Sequence, residues 1–275
     1  MGKGAHWRRL LRAGPKQLFV ATGAVLAAAM VLVLAQPVGG NTKTVGDPAN
    51  DRAEMSAAVQ ATGSISGAVR FVGSPPDQAI LQMAADPFCV TAHQGEIVTA
   101  DNLVVNDNGT LRWVFVYVRD PGAAARPASP PPPVELNQVA CVYQPRVLGM
   151  QAGATLKITN SDSTLHNVNV RAANNPSFNI AQPIPGMSIE RSFGNAEVMI
   201  PVKCDVHGWM QAYVGVLPHP YFAVTGADGA FDISGLAAGD YVVEAWHETL
   251  GTRSLNLTVV AGAAASADFS FGDER

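Results

Sequence analysis

The chain has 275 residues, of which 48% are hydrophobic and 15% charged, and its formal net charge is −4. This length allows one large domain or two smaller ones, each with a core of its own. Five of the 18 basic residues and none of the 22 acidic residues lie in residues 1–35, so the remainder carries a formal charge of −9. An acidic chain without basic clusters argues against nucleic acid as a partner.

The first 40 residues predict export from the cytoplasm. The basic stretch MGKGAHWRRLLRAGPK precedes an uncharged apolar run, LFVATGAVLAAAMVLVLA, at residues 18–35. Such an order keeps the N-terminus inside and sends the rest across a membrane. Residues 33–35 would serve as a signal-peptide cleavage site, and residues 18–35 are also long enough to remain as a single-span anchor. We therefore expect an extracytoplasmic protein, in the periplasm or cell envelope, either secreted or anchored.

Residues 41–62 lack apolar periodicity and predict a linker. The β pattern begins at residue 63, with GSISGAVRFVG and with two strands around an Asn-Gly turn in LVVNDNGTLRWVFVYVRD. The segment between them, SPPDQAILQMAADPFCVTAHQGE, predicts a short helix without a clear role. Residues 121–133 form a stiff Pro/Ala stretch that cannot join a sheet interior. This linker or surface loop closes an N-terminal β segment, 63–133.

Two further β segments follow, at 134–217 and 218–275. Short runs rich in β-branched and aromatic residues, such as HNVNV, EVMIPV and AYVGVL, mark strands in the first segment. The second opens with two strands across an Asp-Gly turn in YFAVTGADGAFDIS. No long amphipathic helix is predicted after the leader. The predicted fold class is therefore all-β, arranged as sandwiches.

The stretch PVKCDVHGWMQAYVGV places Cys204, His207 and Met210 at intervals of three. Equal steps of three would share one face of a helix, but Pro201 and the β-branched neighbours favour strand, tight loop, strand. On such a loop the three side chains can converge on one point. A thiolate, an imidazole and a thioether form a soft ligand set that selects copper.

A mononuclear copper centre of this kind needs a second histidine. Of the six histidines only His166 has a fitting context, in ITNSDSTLHNVNV at the start of a predicted strand. The chain between His166 and Cys204 has room for about three strands, enough to bring the two loops together at one end of a sandwich. The alternative is that these residues merely pack in a core or lie at the surface. His219 and His247 are expected to serve structure in the last segment.

Three cysteines in an exported protein favour one disulfide and one separate thiol. With Cys204 in the candidate site, Cys89 and Cys141 are left as the possible disulfide. Two alternatives stay open: free buried thiols at these two positions, or a second metal site that uses Cys89 and His93.

The motifs NSDSTLHNV and CDVHGWM resemble those of the cupredoxins, the small blue copper proteins, of the amicyanin and plastocyanin type. The resemblance covers roughly residues 148–217. It implies a Greek-key β-sandwich at 134–217 with one mononuclear type 1 copper. The ligands it implies are His166, Cys204 and His207, with Met210 as the weak axial ligand.

The same resemblance implies a role for a residue next to the first ligand. Asn167 would tie the two ligand loops together and donate towards the Cys204 sulfur. His207 would lie near the protein surface with its outer edge facing solvent.

The last segment, with AVTGADGAFDISGLAAGDYVVEAWHETLG, resembles the carboxypeptidase regulatory-like, or transthyretin-like, β-sandwich. GSISGAVRFVG and WVFVYV look like the early strands that this smaller sandwich would otherwise lack. We therefore expect a discontinuous domain, 63–120 plus 218–272, with the copper segment inserted, and contiguous domains are the alternative. This family brings no catalytic residues to the chain.

Two classes of function compete. The first is single-electron transfer by Cu(II)/Cu(I) cycling, in which Trp209 either contributes to a docking patch for a redox partner protein or simply packs. The second is copper binding or delivery, or a structural β-sandwich adaptor, without redox function. An enzyme is disfavoured because the sequence has no His-x-His pair, no second cysteine in the ligand loop and no Ser-His-Asp motif.

Overall fold

The computed structural model describes residues 62–122 and 130–272. The predicted signal peptide or anchor at 1–40, nearly all of the linker at 41–62 and most of the Pro-rich stretch lie outside these residues. Among the described residues, no helix has the length and apolar character that a bilayer crossing needs.

The described residues form seventeen strands and two short helical turns, which confirms the predicted all-β class. The helical turns are a 3-10 turn at Met83–Ala85 and helix α1 at Pro87–Ala92. The strands are β1 (Gly63–Val72), β2 (Phe115–Val118), β3 (Val134–Val139), β4 (Val142–Gln144), β5 (Val147–Gln151), β6 (Thr155–Asn160), β7 (His166–Val170), β8 (Phe178–Gln182), β9 (Ser188–Ser192), β10 (Glu197–Lys203), β11 (Gln211–Leu217), β12 (Phe222–Val224), β13 (Ala230–Leu236), β14 (Gly239–His247), β15 (Gly251–Val259), β16 (Ala264–Ser266) and β17 (Phe269–Gly272).

Two sheets combine strands from both ends of the described chain. Strand β1 pairs antiparallel with β13 and parallel with β16 and β17. The other sheet has the order β12-β2-β14-β15. Side chains from both sequence segments, among them Ile65, Val116 and Val243, are fully buried in one core cluster. Segments 63–120 and 218–272 therefore share sheets, as a discontinuous domain would require, and the domain limits themselves stay a prediction.

The strands between Val134 and Leu217 form two sheets, in the orders β5-β11-β10-β7-β8 and β4-β3-β6-β9. Their apolar side chains fill a second core cluster. Strand β10 pairs antiparallel with β7, with Lys203 opposite Asn169. Because the strands run in opposite directions, the start of β7 lies beside the end of β10. This register places His166 next to the loop that begins at Cys204.

Paired glycines let aromatic side chains of β2 and β12 pack against β5 and β11. Gly149 lies opposite Gly215. A Cβ at Gly149 would stand 2.4 Å from the ring of Phe222, and one at Gly215 would stand 2.6 Å from the ring of Phe115. Only glycine leaves room for these rings.

Candidate metal centre

The predicted strand, loop, strand arrangement holds for the cysteine motif, since β10 ends at Lys203 and β11 begins at Gln211. The loop is closed by backbone hydrogen bonds. The Cys204 N–H donates to the carbonyl of Met210 at 3.2 Å, and the Met210 N–H donates to the carbonyl of His207 at 2.9 Å. This closure holds the three side chains of the motif at one end of the sheet.

Cys204, His166 and His207 converge in the structure. Their candidate ligand atoms lie within 4.8 Å of one another. The two imidazole Nδ1 atoms are 2.9 Å apart, and the Cys204 Sγ lies 4.0 Å from Nδ1 of His207. Metal–nitrogen and metal–sulfur bonds of about 2.0 and 2.3 Å allow an S···N separation of up to about 4.3 Å. The distance between the two Nδ1 atoms and that between the Cys204 sulfur and Nδ1 of His207 are therefore compatible with binding to a single metal ion.

All three side chains are removed from solvent. His166, Cys204 and His207 are 0%, 3% and 3% exposed. Met210 is 1% exposed and belongs to the same core cluster as Cys204. Three of the four predicted ligands, His166, Cys204 and His207, are thus brought together in the interior, and Met210 is buried in the core cluster that contains Cys204.

Each ligand imidazole also meets a carboxylate, which the sequence reasoning missed. Nε2 of His166 lies 2.8 Å from Oδ2 of Asp162, and Nε2 of His207 lies 3.0 Å from Oδ2 of Asp86. A carboxylate that accepts from Nε2–H leaves Nδ1 free to bind a metal. Asp162 lies only four residues before His166, so the turn NSDSTLH carried a local signal for it. Asp86 lies far away in sequence and had none.

The charges around the thiol are balanced within the site. Burial lowers the pKa of His166, but its hydrogen bonds to Asp162 and Cys204 outweigh this and raise it to about 9. Burial raises the pKa of the Cys204 thiol, but hydrogen bonds from His166 and from backbone N–H groups bring it below its usual value. The Cys204 thiol therefore loses its proton more readily than a cysteine with the usual pKa, and the thiolate is the form that binds metals.

The segment that had no clear role in the sequence covers this centre. Helix α1 carries Cys89, which forms a disulfide with Cys141. Its Sγ lies 3.8 Å from Nε2 of His207. The ring of His93, just after α1, bonds to the carbonyl of Ala140 at 2.8 Å. Among the described residues, which include all three cysteines of the sequence, Cys204 is the one free thiol.

Helix α1 and its disulfide cover His207, which was expected to lie at the surface. Asp86 and the disulfide lie on its outer edge, and Trp209 packs beside it with ring centroids 5.1 Å apart. The indole N–H of Trp209 donates to the carbonyl of Cys141 at 2.9 Å. The expectation of a solvent-facing His207 edge is wrong, because α1 returns from a distant part of the chain to pack there.

Asn167 links the two ligand loops. Its Oδ1 accepts from the N–H of Asp205 at 2.7 Å, and its Nδ2 donates to Oδ2 of Asp205 at 3.0 Å. The amide oxygen, not the amide nitrogen, faces the Cys204 sulfur at 3.3 Å. The Cys204 sulfur accepts hydrogen bonds from the backbone N–H groups of Asn167 and His207, the latter at 3.4 Å, so the expected donation from Asn167 comes from its main chain.

The other two histidines of the described residues, His219 and His247, lie outside the centre. Nδ1 of His219 accepts from the N–H of Tyr221 at 3.3 Å. Nδ1 of His247 accepts from the N–H groups of Thr249 and Leu250. Both rings are buried and support turns, as expected for structural residues.

No protein-family model and no curated protein matches this chain. Solved structures resemble part of it. A purple cupredoxin from Nitrosopumilus maritimus is 24% identical over 30% of this chain and 98% of its own, with a TM-score of 0.27. An amicyanin variant in the Cu(I) state is 19% identical over 37% of this chain and 97% of its own, with a TM-score of 0.28.

A copper-containing nitrite reductase from Thermus scotoductus is 21% identical over 36% of this chain and 25% of its own, with a TM-score of 0.27. These structural neighbours are cupredoxins. At such TM-scores the likeness carries no argument about what this chain does. The resemblance of the last segment to a carboxypeptidase regulatory-like sandwich stays a prediction.

Proposed function

We propose that this protein binds one copper ion at His166, Cys204 and His207, with Met210 as a weak fourth ligand, and carries single electrons outside the cytoplasm. The observation that carries the proposal is a free, buried cysteine whose sulfur lies 4.0 Å from Nδ1 of His207 and within 4.8 Å of a ring nitrogen of His166. When bound, copper would supply the chemistry of the site by accepting one electron as Cu(II) and returning it as Cu(I).

The chain's own contribution is a ligand set held in place before the metal arrives. The loop that carries Cys204 and His207 is closed by backbone bonds, and Asn167 ties it to the start of β7. Ligands that move little when the charge of the ion changes favour fast electron exchange. The resulting centre would need no substrate, so we propose an electron carrier and not an enzyme.

The burial of the proposed ligands favours electron transfer over copper delivery or buffering. A protein that hands copper to a partner needs ligands that solvent and the partner can reach, whereas none of the three ligands is more than 3% exposed. Trp209 is only partly buried and touches both His207 and the backbone of Cys141. We propose it as the contact through which a redox partner protein approaches the centre.

The disulfide and the composition of the first 35 residues support the proposed compartment. A disulfide between Cys89 and Cys141 is stable in oxidising spaces and rare in the cytosol. Together with the basic and apolar start of the chain, it supports a periplasmic or cell-envelope location, secreted or anchored by residues 18–35.

The test is the visible absorption spectrum of the purified full-length protein titrated with Cu(II). We expect one equivalent of copper to produce an intense thiolate-to-copper band that a reductant bleaches and that Cys204→Ser abolishes. His219→Asn is the matched control, because it removes a buried histidine outside the centre and should leave the band intact. Copper binding without the band would contradict the proposal and favour copper handling or a structural adaptor.

A further inference from the structure

We propose that Asp86 and Asp162 set the oxidation-state preference of the centre. Each aspartate holds a negative charge beside one ligand imidazole, so that Cu(II) is favoured over Cu(I). This inference rests on the proposed function, because it assumes that copper binds at His166, Cys204 and His207. It concerns two residues that bind no metal themselves and that act through the histidines.

Asp162 is built into the protein interior. Its side chain is 4% exposed. Oδ1 accepts from the N–H of Ala140 at 2.7 Å, while Oδ2 accepts from the N–H of Cys141 at 2.8 Å and meets the His166 ring. Three donors around one carboxyl group favour its ionised form, which can only accept. The group cannot turn away from the imidazole without breaking two backbone hydrogen bonds.

Asp86 has a matching arrangement on the other imidazole. It is the N-cap of α1, and its Oδ1 accepts from the N–H of Phe88 at 2.8 Å. Oδ2 accepts from the hydroxyl of Thr164 at 2.6 Å and meets Nε2 of His207. The cap therefore aims the carboxylate at the ligand, while Thr164, just before β7, fixes it from the side of the metal centre.

The effect on copper follows from the count of charges. The Cys204 thiolate and the two carboxylates bring three negative charges to one site. With Cu(II) the site has a net charge of −1, and with Cu(I) it has a net charge of −2. Within the described residues, the ion-pair partners of both carboxylates are the two ligand histidines, which are neutral when they bind a metal. Because Cys204 and Asp162 are buried and Asp86 is only partly exposed, solvent screens these charges weakly, and the addition of an electron is disfavoured.

The experiment compares the midpoint potentials of wild type, Asp86→Asn, Asp162→Asn and the double variant as copper-loaded full-length proteins. Asparagine keeps the size of the side chain and the ability to cap α1, and it removes the charge. The control is Glu96→Gln, which removes one charge from an exposed position in the same covering segment. We expect each aspartate variant to raise the ratio of Cu(I) to Cu(II) binding constants about tenfold or more, which is about 59 mV per tenfold for one electron.

The remaining outcomes are also informative. Glu96→Gln should shift this ratio less than about twofold, because solvent screens an exposed charge. An aspartate variant that keeps the absorption band and shows an unchanged or lower potential would overturn the inference. So would a folded Asp86→Asn protein that no longer binds copper, since the carboxylate would then be needed for binding itself.

The experiment distinguishes a failure of this inference from a variant that does not fold and from a failure of the proposed function. Asp162→Asn can fail to fold because Asp162 accepts hydrogen bonds from two backbone N–H groups. In that case the result for Asp86→Asn decides alone, since the Asp86 side chain is 20% exposed and its replacement disturbs the core less. Asp86→Glu, which keeps the charge, should stay near the wild-type potential. If wild type shows no thiolate-to-copper band, the proposed function has failed, and the spectrum reports this before any potential is measured.

Discussion

We predict that the titration of His247 lowers the stability of this protein as the pH falls towards 4. The ring is 2% exposed, and Nδ1 accepts from the N–H of Thr249 at 3.2 Å and of Leu250 at 3.3 Å. A proton on Nδ1 would break both hydrogen bonds. Burial, together with the positive charge of Arg146, lowers the pKa of His247 to about 4.

The sign and size of the effect follow from this pKa. In the unfolded chain a histidine titrates near 6.5. Since the native pKa is the lower one, the unfolded state binds more protons as the pH falls. The contribution of His247 is complete above pH 6.5 and is lost as the pH falls towards 4. The shift corresponds to about 3 kcal/mol of unfolding free energy, at about 1.4 kcal/mol per pH unit.

The assay is urea unfolding of the copper-free protein between pH 7 and pH 4, for wild type and His247→Asn. Asparagine places an amide oxygen near the position of Nδ1, so it can accept the same two hydrogen bonds without titrating. We expect the stability of wild type to fall by about 3 kcal/mol more than that of the variant over this range. Equal pH dependence in the two proteins would refute the reasoning, because every other titrating group is the same in both.

Two further predictions concern packing and the metal centre. Gly215→Ala should cost about 1–3 kcal/mol in urea unfolding, because its Cβ would stand 2.6 Å from a phenylalanine ring of β2. Gly194→Ala, where a Cβ meets nothing within 4 Å, should cost much less, and equal losses would contradict the packing argument. Because the pKa of His166 is raised to about 9, copper must displace its proton, so the apparent Cu(II) affinity should rise about tenfold per pH unit from pH 7 towards 9. A calorimetric titration with Cu(II) in two buffers of different ionisation enthalpy counts the released proton. A Cu(II) affinity independent of pH would contradict this prediction.

The fold class and the grouping of the candidate ligands could be predicted from local features of the sequence. Strand periods and turn residues are local features, so the all-β class could be recognised without any tertiary contact. Cys204, His207 and Met210 lie within one loop, whose geometry depends on seven consecutive residues. His166 could be added because the chemistry of the set requires a second imidazole, and because the intervening strands were long enough to return the chain to the same edge.

The residues that surround those candidate ligands could not be predicted, because they come from distant parts of the chain. Asp86 and Cys89 come from a short helix more than a hundred residues before His207, and nothing in that stretch indicates where it packs. The contact is made by the disulfide to Cys141 and by the hydrogen bond of Asp86 to Thr164. Long-range packing of this kind has no period in the sequence, so the burial of His207 and its carboxylate partner became visible only in the folded chain.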